Sequence, residues 1–433
     1  MSATSAPATV SHRMLDRSDM RTLALSSLGG ALEFYDFIIF VFYAKLISEL
    51  FFPRQLDPFW ALLTTYGIFA AGYFFRPVGG IVMAHFGDRL GRKRMFTLSI
   101  LLMALPTFAI GLLPTYAAVG VAAPLLLLTM RILQGVAIGG EIPAAWTFVS
   151  EHVPQRHVGL ANGVLCAGLN VGILIGSLVA LGVERSFSPA DIHDGAWRLP
   201  FLLGGVLGLV TMYLRRWLQE TPVFREMQAR RALCEGIPLK AVLTRHVGGV
   251  VLSMLLTWVL TACIMVALLS TPQLMSGTFH VPRATAFTLQ SWAIVAGAVG
   301  CVLVGGLCDR FGVGNTLLGV GLLELVACTF YYTGLGHMAW GTVAFWYVLM
   351  GAGTGMAAAV PAAMVRSFPA PVRLSGVSFS YNVCYAVCGG VTFPLITVLS
   401  RHSPIGGMYY LWGICLLAML CGLVVRSQRE SGL

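Results

Sequence analysis

Apolar runs of about 20 residues, separated by short charged or Pro/Gly-rich breaks, follow one another along the whole chain. One helical crossing of a bilayer core about 30 Å thick takes about 20 apolar residues. The runs centre near residues 36, 72, 105, 134, 171, 207, 260, 297, 325, 352, 386 and 416, so twelve spanning helices are expected. An even number returns both ends of the chain to the same side. The longest hydrophilic insertion, 218–246, divides the runs six and six.

That division predicts a short tail over 1–21, a six-helix bundle over 22–217, a central loop over 218–246, a second bundle over 247–426 and a short tail over 427–433. Internal repeats agree with it. GDRLG at 87–91 recurs as CDRFG at 308–312, IPAA at 142–145 as VPAA at 360–363, and Arg156-His-Val-Gly159 as Arg373-Leu-Ser-Gly376. Three matches in chain order, each offset by nearly half the length, indicate a parallel duplication about an axis along the membrane normal. The expected fold is therefore an all-α membrane protein of two pseudo-symmetric six-helix bundles.

Composition sharpens the class. With 57% hydrophobic and 11% charged residues among 433, the chain departs far from the roughly 25% charge of soluble globules. No separate soluble domain fits. An excess of 28 Lys+Arg over 18 Asp+Glu would suggest nucleic acid in a soluble protein, but here it tracks topology. Only Lys45, Arg54, Arg185, Arg198, Arg283 and Arg401 fall on one side and Arg76 and Arg131 within spans; the remaining basic residues share the side of the two termini. Basic residues accumulate on the cytoplasmic face. A multi-pass membrane protein with both termini in the cytoplasm, binding no nucleic acid, is expected.

Ten cysteines show neither C-x-x-C nor metal spacing, and all but Cys234 lie in apolar stretches. They are expected to be buried and small rather than ligands, and neither metal nor cofactor is expected. Gly168, Gly172 and Gly176, and Gly351 and Gly355, recur every fourth residue. Such spacing suits close helix packing, or a seam along which bundles slide. Walker, H-E-x-x-H and G-x-S-x-G patterns are absent, so an enzyme is not expected.

A charge in mid-span costs about 2.5 to 3.5 kcal/mol and points to function. Glu33, Asp36, Arg76, Arg131, Glu141 and Glu324 qualify. A spacing of three sets Glu33 and Asp36 on one helical face, and Arg131, Gln134, Ile138 and Glu141 form one stripe of another. At about 1.5 Å per residue, Glu33, Asp36 and Arg131 fall near the midplane. Two polar stripes at one depth need an aqueous cavity or each other. A carboxylate whose partner arginine can be taken by an anionic substrate changes its proton affinity as that substrate binds. Arg76 and Arg131 are thus candidates for holding an anion, since a guanidinium fork matches two carboxylate oxygens. Asp36, Glu33 and Glu141 are candidate proton carriers. Gln134, Asn170, Trp258, Gln290, Tyr381, Asn382 and Tyr385 are the further polar candidates for a binding site, although helix-to-helix hydrogen bonds explain most such residues in a bilayer.

The loop Gly87-Asp88-Arg89-Leu90-Gly91-Arg92-Lys93-Arg94 resembles the G-x-x-x-D-R-x-G-R-K/R motif of the major facilitator superfamily, and Arg131-x-x-Gln134-Gly135-x-x-x-Gly139-Gly140-Glu141 resembles its fourth-helix motif. LEFYDF at 32–37, FFRPVGG at 74–80, WRLPF at 197–201 and QETPVF at 219–224 look like its metabolite:proton symporter subfamily, which carries citrate, alpha-ketoglutarate, shikimate, and proline or betaine. The resemblance implies a cytoplasmic gate made by Asp88, Arg89, Gly91, Arg92 and Glu151, with a weaker copy at Asp309 and Arg310 that lacks the basic tail. It also implies alternating-access import, by a single chain, of a small carboxylate or zwitterion together with protons. Proton-coupled efflux and a non-transporting sensor are the alternatives. Glu324, in the usually peripheral ninth span, has no counterpart acid in the first half.

Overall fold

The computed structural model describes residues 14–230, 237–277, 279–403 and 405–430. Twelve long helices dominate it. The first six are α1 (Arg17–Phe51), α2 (Pro58–Leu90), α3 (Arg92–Ile110), α4 (Ala122–His152), α5 (Val158–Ser186) and α6 (Arg198–Arg215). The second six begin with α7 (Val247–Cys263), which continues as a π segment (Ile264–Ser270) into Thr271–Gly277, followed by α8 (Arg283–Phe311) and α9 (Val313–Gly334). Then come α10 (Trp340–Gly353), which passes through a 3-10 segment (Thr354–Ala358) into Ala359–Arg366, α11 (Arg373–His402) and α12 (Gly406–Glu430). Among the described residues, eleven of these are long and apolar enough to cross a membrane, and α11, with 30 residues, completes the set.

Local chemistry sets the helix ends. Asp16 accepts from the Asp19 amide at 2.9 Å while Asp19 accepts from the Asp16 amide at 3.0 Å, a reciprocal cap that starts α1 at Arg17. The helix therefore begins inside the stretch expected as a tail. The central loop likewise holds two short helices, Pro222–Ala229 and Pro238–Arg245, each opened by a proline at its first turn; the linker's polarity concealed their amphipathic faces. Cys234 lies outside the described residues, and the nine described cysteines are free, eight of them buried.

The duplication is visible in the backbone. α2 ends at Gly91 (φ 119°) and α8 at Gly312 (φ 85°), left-handed positions that favour glycine. Both glycines belong to the repeated G/C-D-R-x-G loop. The end of the bundle bearing these loops is called the latch end below, and its opposite the far end.

Glycines set the closest approaches. α2 and α4 touch along Gly72, Gly79, Gly135 and Gly139, where any Cβ would strike the facing backbone. Gly172 meets Ala31 of α1, and Gly351 and Gly355 meet Ala293 and Gly300 of α8, so the glycines spaced by four serve packing inside each half. The seam between the halves uses others: Gly159 and Gly163 of α5 lie against Gly305 and Cys301 of α8. Large apolar side chains such as Phe74, Leu178 and Leu303 stay exposed around the outside, as a lipid-facing surface requires.

Candidate functional site

Residues of α1, α2, α4, the π segment of α7 and α11 line a cavity that is partly open. Its walls are mostly apolar, and its charges come in two pairs. Arg131 Nη1 binds Asp36 Oδ2 at 2.8 Å and also donates to Gln134 at 2.8 Å. Asp36 Oδ1 accepts from Gln134 at 3.0 Å and from Thr107 at 3.1 Å. Arg76 Nη2 lies 3.4 Å from Glu33 Oε1. All four charged side chains are buried. The expected stripes therefore meet, and at one depth.

Neither arginine is fully engaged. Nε and Nη2 of both Arg76 and Arg131, and Oε2 of Glu33, have no hydrogen-bond partner among the described residues. Aromatic rings hold the guanidinium groups instead. Arg131 lies 3.7 Å from the Phe40 ring centre, and Arg76 lies 4.5 Å from Tyr385, 5.5 Å from Tyr381 and 5.6 Å from Tyr73. Ring faces attract a cation without consuming its N–H donors. Two cationic forks are thus fixed in place with donors to spare beside the cavity.

Other expected site residues fall elsewhere. Glu141 shares the Arg131 stripe but faces away from the cavity. It is held by Arg215, whose Nη1 lies 3.0 Å from Oε2, and by the Ser99 hydroxyl. At about 1.5 Å per residue, the ten residues after Arg131 carry it about 15 Å toward the latch end, level with the end of α6. Arg215 is fully buried there, although its place beside Arg216 made it look like surface charge of the linker. Asn382 donates to the Gly139 carbonyl at 2.7 Å across the halves, and Asn170 faces Cys301 at 3.9 Å, so both serve the seam. Gln290 donates to the Leu268 carbonyl at 2.9 Å, satisfying the π segment. Trp258 is 36% exposed and donates to Tyr410 at 2.9 Å, away from the cavity. Tyr381 touches Arg76 from outside the cavity lining, and Tyr385 lines it. Thr107 was missed: one hydroxyl in an apolar run carries little signal until Asp36 is seen beside it.

The latch end is closed. Asp88 accepts from the Ser375 amide at 2.9 Å, and Arg92, 3.5 Å from Asp88, donates to the Ala370 carbonyl at 2.8 Å. Glu151 lies between Arg92 at 2.7 Å and Arg373 at 2.9 Å, and accepts from Thr221 at 2.8 Å. Asp309 accepts from the Gly159 and Leu160 amides at 2.7 and 2.8 Å. Glu220, not singled out from the sequence, accepts from the Arg92 and Lys93 amides at 3.2 Å and caps α3, whose N-terminal glycine has no side chain to do so. Gly91 supplies the turn. Arg89 reaches its own helix at His85, and Arg310 lies on the Phe311 ring, so neither arginine spans the seam through these contacts. Among the described residues no three His, Cys, Asp or Glu side chains converge as a metal site.

A bundle of apolar helices around a charged cavity at mid-depth has the architecture of a multi-pass membrane transporter. Residues 26–392 match the model of the Major Facilitator Superfamily, and the chain belongs to that family. It is 32% identical, over 95% of each chain, to the inner membrane metabolite transport protein YhjE of Escherichia coli (strain K12). The shikimate transporter of the same strain is 30% identical over 96% of this chain and 97% of its own. The citrate-proton symporter of Klebsiella pneumoniae is 28% identical over 92% and 90%. Among solved structures, a double-tryptophan mutant of XylE shares the fold with a TM-score of 0.77 at 16% identity, covering 94% of both chains. FucP in the outward conformation gives 0.71 at 15% identity, covering 94% of this chain and 99% of its own.

Proposed function

We propose that the protein imports a small carboxylate-bearing metabolite together with protons, by rocking its halves about the midplane cavity. The observation that carries this reading is the pair of buried arginines with unspent donors, each beside a carboxylate. Arg76, Arg131, Glu33 and Asp36 sum to zero charge. An incoming carboxylate would leave the buried site one charge negative, a state costly in low dielectric. The imbalance disappears if Asp36 or Glu33 takes up a proton as its arginine turns to the substrate. Substrate and proton then travel together. Glu141 is fully paired with Arg215 away from the cavity, which supports a scaffold role for it instead of proton carriage.

The names of the relatives fit a carboxylate-bearing substrate, since shikimate and citrate are carboxylates and proline and betaine, carried by other relatives, are zwitterions that bear one. A zwitterion such as proline or betaine is less well served: the rings of Tyr73, Tyr381 and Tyr385, which could have caged a quaternary ammonium, already hold Arg76. The excess of basic residues on the latch side supports its assignment to the cytoplasm. With the latch end shut, the cavity belongs to the outward-facing half of the cycle. A single chain acting alone, in a bacterial inner membrane, completes the reading.

Uptake of labelled citrate, alpha-ketoglutarate, shikimate, proline and betaine into proteoliposomes, with and without an imposed pH gradient, tests this. A carboxylate should accumulate only with the gradient, and Asp36→Asn should abolish accumulation while leaving exchange. If no compound accumulates, the import reading fails. If Asp36→Asn accumulates normally, Asp36 leaves the proton path.

A further inference from the structure

Apart from Asp309 in the latch loop and Glu430 at the end of α12, the second half contains one acid, Glu324. It lies eleven residues into α9, about 16 Å from the start of that helix and hence at mid-depth. The side chain is fully buried, and neither carboxyl oxygen has a hydrogen-bond partner among the described residues. The titratable groups facing it are Cys328 and Tyr332 of α9 itself, Cys263 of α7 and Cys415 of α12. None of them is basic. α10 offers only Gly353, and the carboxyl fills the space a Cβ there would need. An ionised carboxylate so enclosed, with no counter-charge and no donor, would cost several kcal/mol. The group is therefore a carboxylic acid in this arrangement.

Two of its neighbours stand where helices leave α geometry. Cys263 immediately precedes the π segment of α7, and Ile264, Met265 and Leu269 of that segment line the transport cavity. Gly353 immediately precedes the 3-10 segment of α10. Segments of this kind mark hinges. Movement of either would open a path for cavity water to the carboxyl.

We infer that Glu324 is a second proton-binding site of the cycle, loaded while the latch end is closed and emptied when the irregular segments of α7 and α10 move. In the step, the carboxyl O–H bond breaks, cavity water takes the proton, and the carboxylate is left hydrated. The inference rests on the alternating-access reading above and adds a site in the half that has no ion pair at its centre.

The test uses the full chain in proteoliposomes, spin-labelled at Leu112 and Met338, exposed residues of far-end loops in opposite halves. The distance distribution gives the latch-closed population as pH is varied. Two linked protons change that population ratio by up to about a hundredfold per pH unit, and one by about tenfold. Glu324→Gln should lower the slope from the steeper toward the shallower limit, as should Asp36→Asn, and the double variant should keep only the pH dependence of the latch carboxylates Asp88 and Asp309. A folded Glu324→Leu must behave like Glu324→Gln. Wild-type slope in either Glu324 variant, with gradient-driven uptake intact in the parent, overturns the role of Glu324 alone. Absence of any gradient-driven uptake by the parent overturns the transport reading instead.

Discussion

Asp88 and Asp309 occupy equivalent loops, and each reaches across to the start of the fifth helix of the opposite half. Asp88 takes the Ser375 amide at 2.9 Å, and Asp309 takes those of Gly159 and Leu160 at 2.7 and 2.8 Å. A carboxylate at a helix N-terminus meets unsatisfied amides and the positive end of the dipole, so this contact needs only backbone and one acid. What surrounds it differs. The first-half loop adds Arg92, Glu151 and Arg373 in a chain of ion pairs, while the second-half copy has Val313 and Gly314 where the basic tail would be. The same contrast holds at depth, where the first half has Asp36 with Arg131, Glu33 with Arg76 and Glu141 with Arg215, and the second has Glu324 alone. The duplicate kept what the backbone can supply, and among the described residues the buried ion pairs are built on first-half acids.

The contrast is tested hardest at two deep acids, one paired and one without a partner among the described residues. Removing one partner of a buried ion pair leaves a naked charge and costs about 3–5 kcal/mol. Glu141→Gln should therefore destabilise the detergent-solubilised protein by that amount, read as a drop in Tm, and Arg215→Met combined with it should recover most of the loss. Glu324→Gln exchanges one neutral group for another and should leave Tm nearly unchanged. Equal losses at both positions would mean that Glu324 is ionised and paired, and the asymmetry between the halves would disappear.

At the latch the expected effect is smaller. Glu151→Ala strips Arg92 and Arg373 of their shared acid, but Arg92 keeps Asp88 and the Ala370 carbonyl, so the net loss is close to one hydrogen bond to a charged group, about 1.5–3 kcal/mol. The latch-closed population should fall by about tenfold or more, measured by the Leu112 and Met338 label distance. An unchanged distribution would show that the helix-start contacts of Asp88 and Asp309 hold the seam without the ion pairs.

The helices were legible because each must bury its own backbone in lipid, and apolar runs with charged breaks record that necessity directly. The meeting of Asp36 with Arg131 was legible for a related reason, since mid-span charges are too costly to stand alone and these two fall at one depth. Glu141 was misassigned to the cavity because a stripe on one helix fixes direction only over a turn or two, and Arg215 was disguised by its neighbour Arg216 as linker charge. Asn382, Asn170 and Gln290 read as site residues because polarity in a span does not reveal whether the partner is a substrate or a facing carbonyl. The irregular segments of α7 and α10 did leave a mark that the sequence reading passed over: Pro272 and Pro361 follow them and cannot donate to the Leu268 and Ala357 carbonyls four residues earlier, inside Ile264–Ser270 and Thr354–Ala358.

The finest division lies within the second-half loop, between two adjacent residues. Asp309→Asn keeps one oxygen to accept from Gly159 or Leu160 but loses the charge and one bond, a cost of about 0.5–1.5 kcal/mol. The latch-closed population should fall severalfold. Arg310 is exposed, with its guanidinium 5.2 Å from the ring of the adjacent Phe311. Arg310→Ala should thus move the population by no more than about 0.5 kcal/mol, as surface substitutions do. If Arg310→Ala opened the latch as far as Asp309→Asn, the arginine would be reaching a partner across the seam in another state of the cycle, and the second half would carry charge pairing after all.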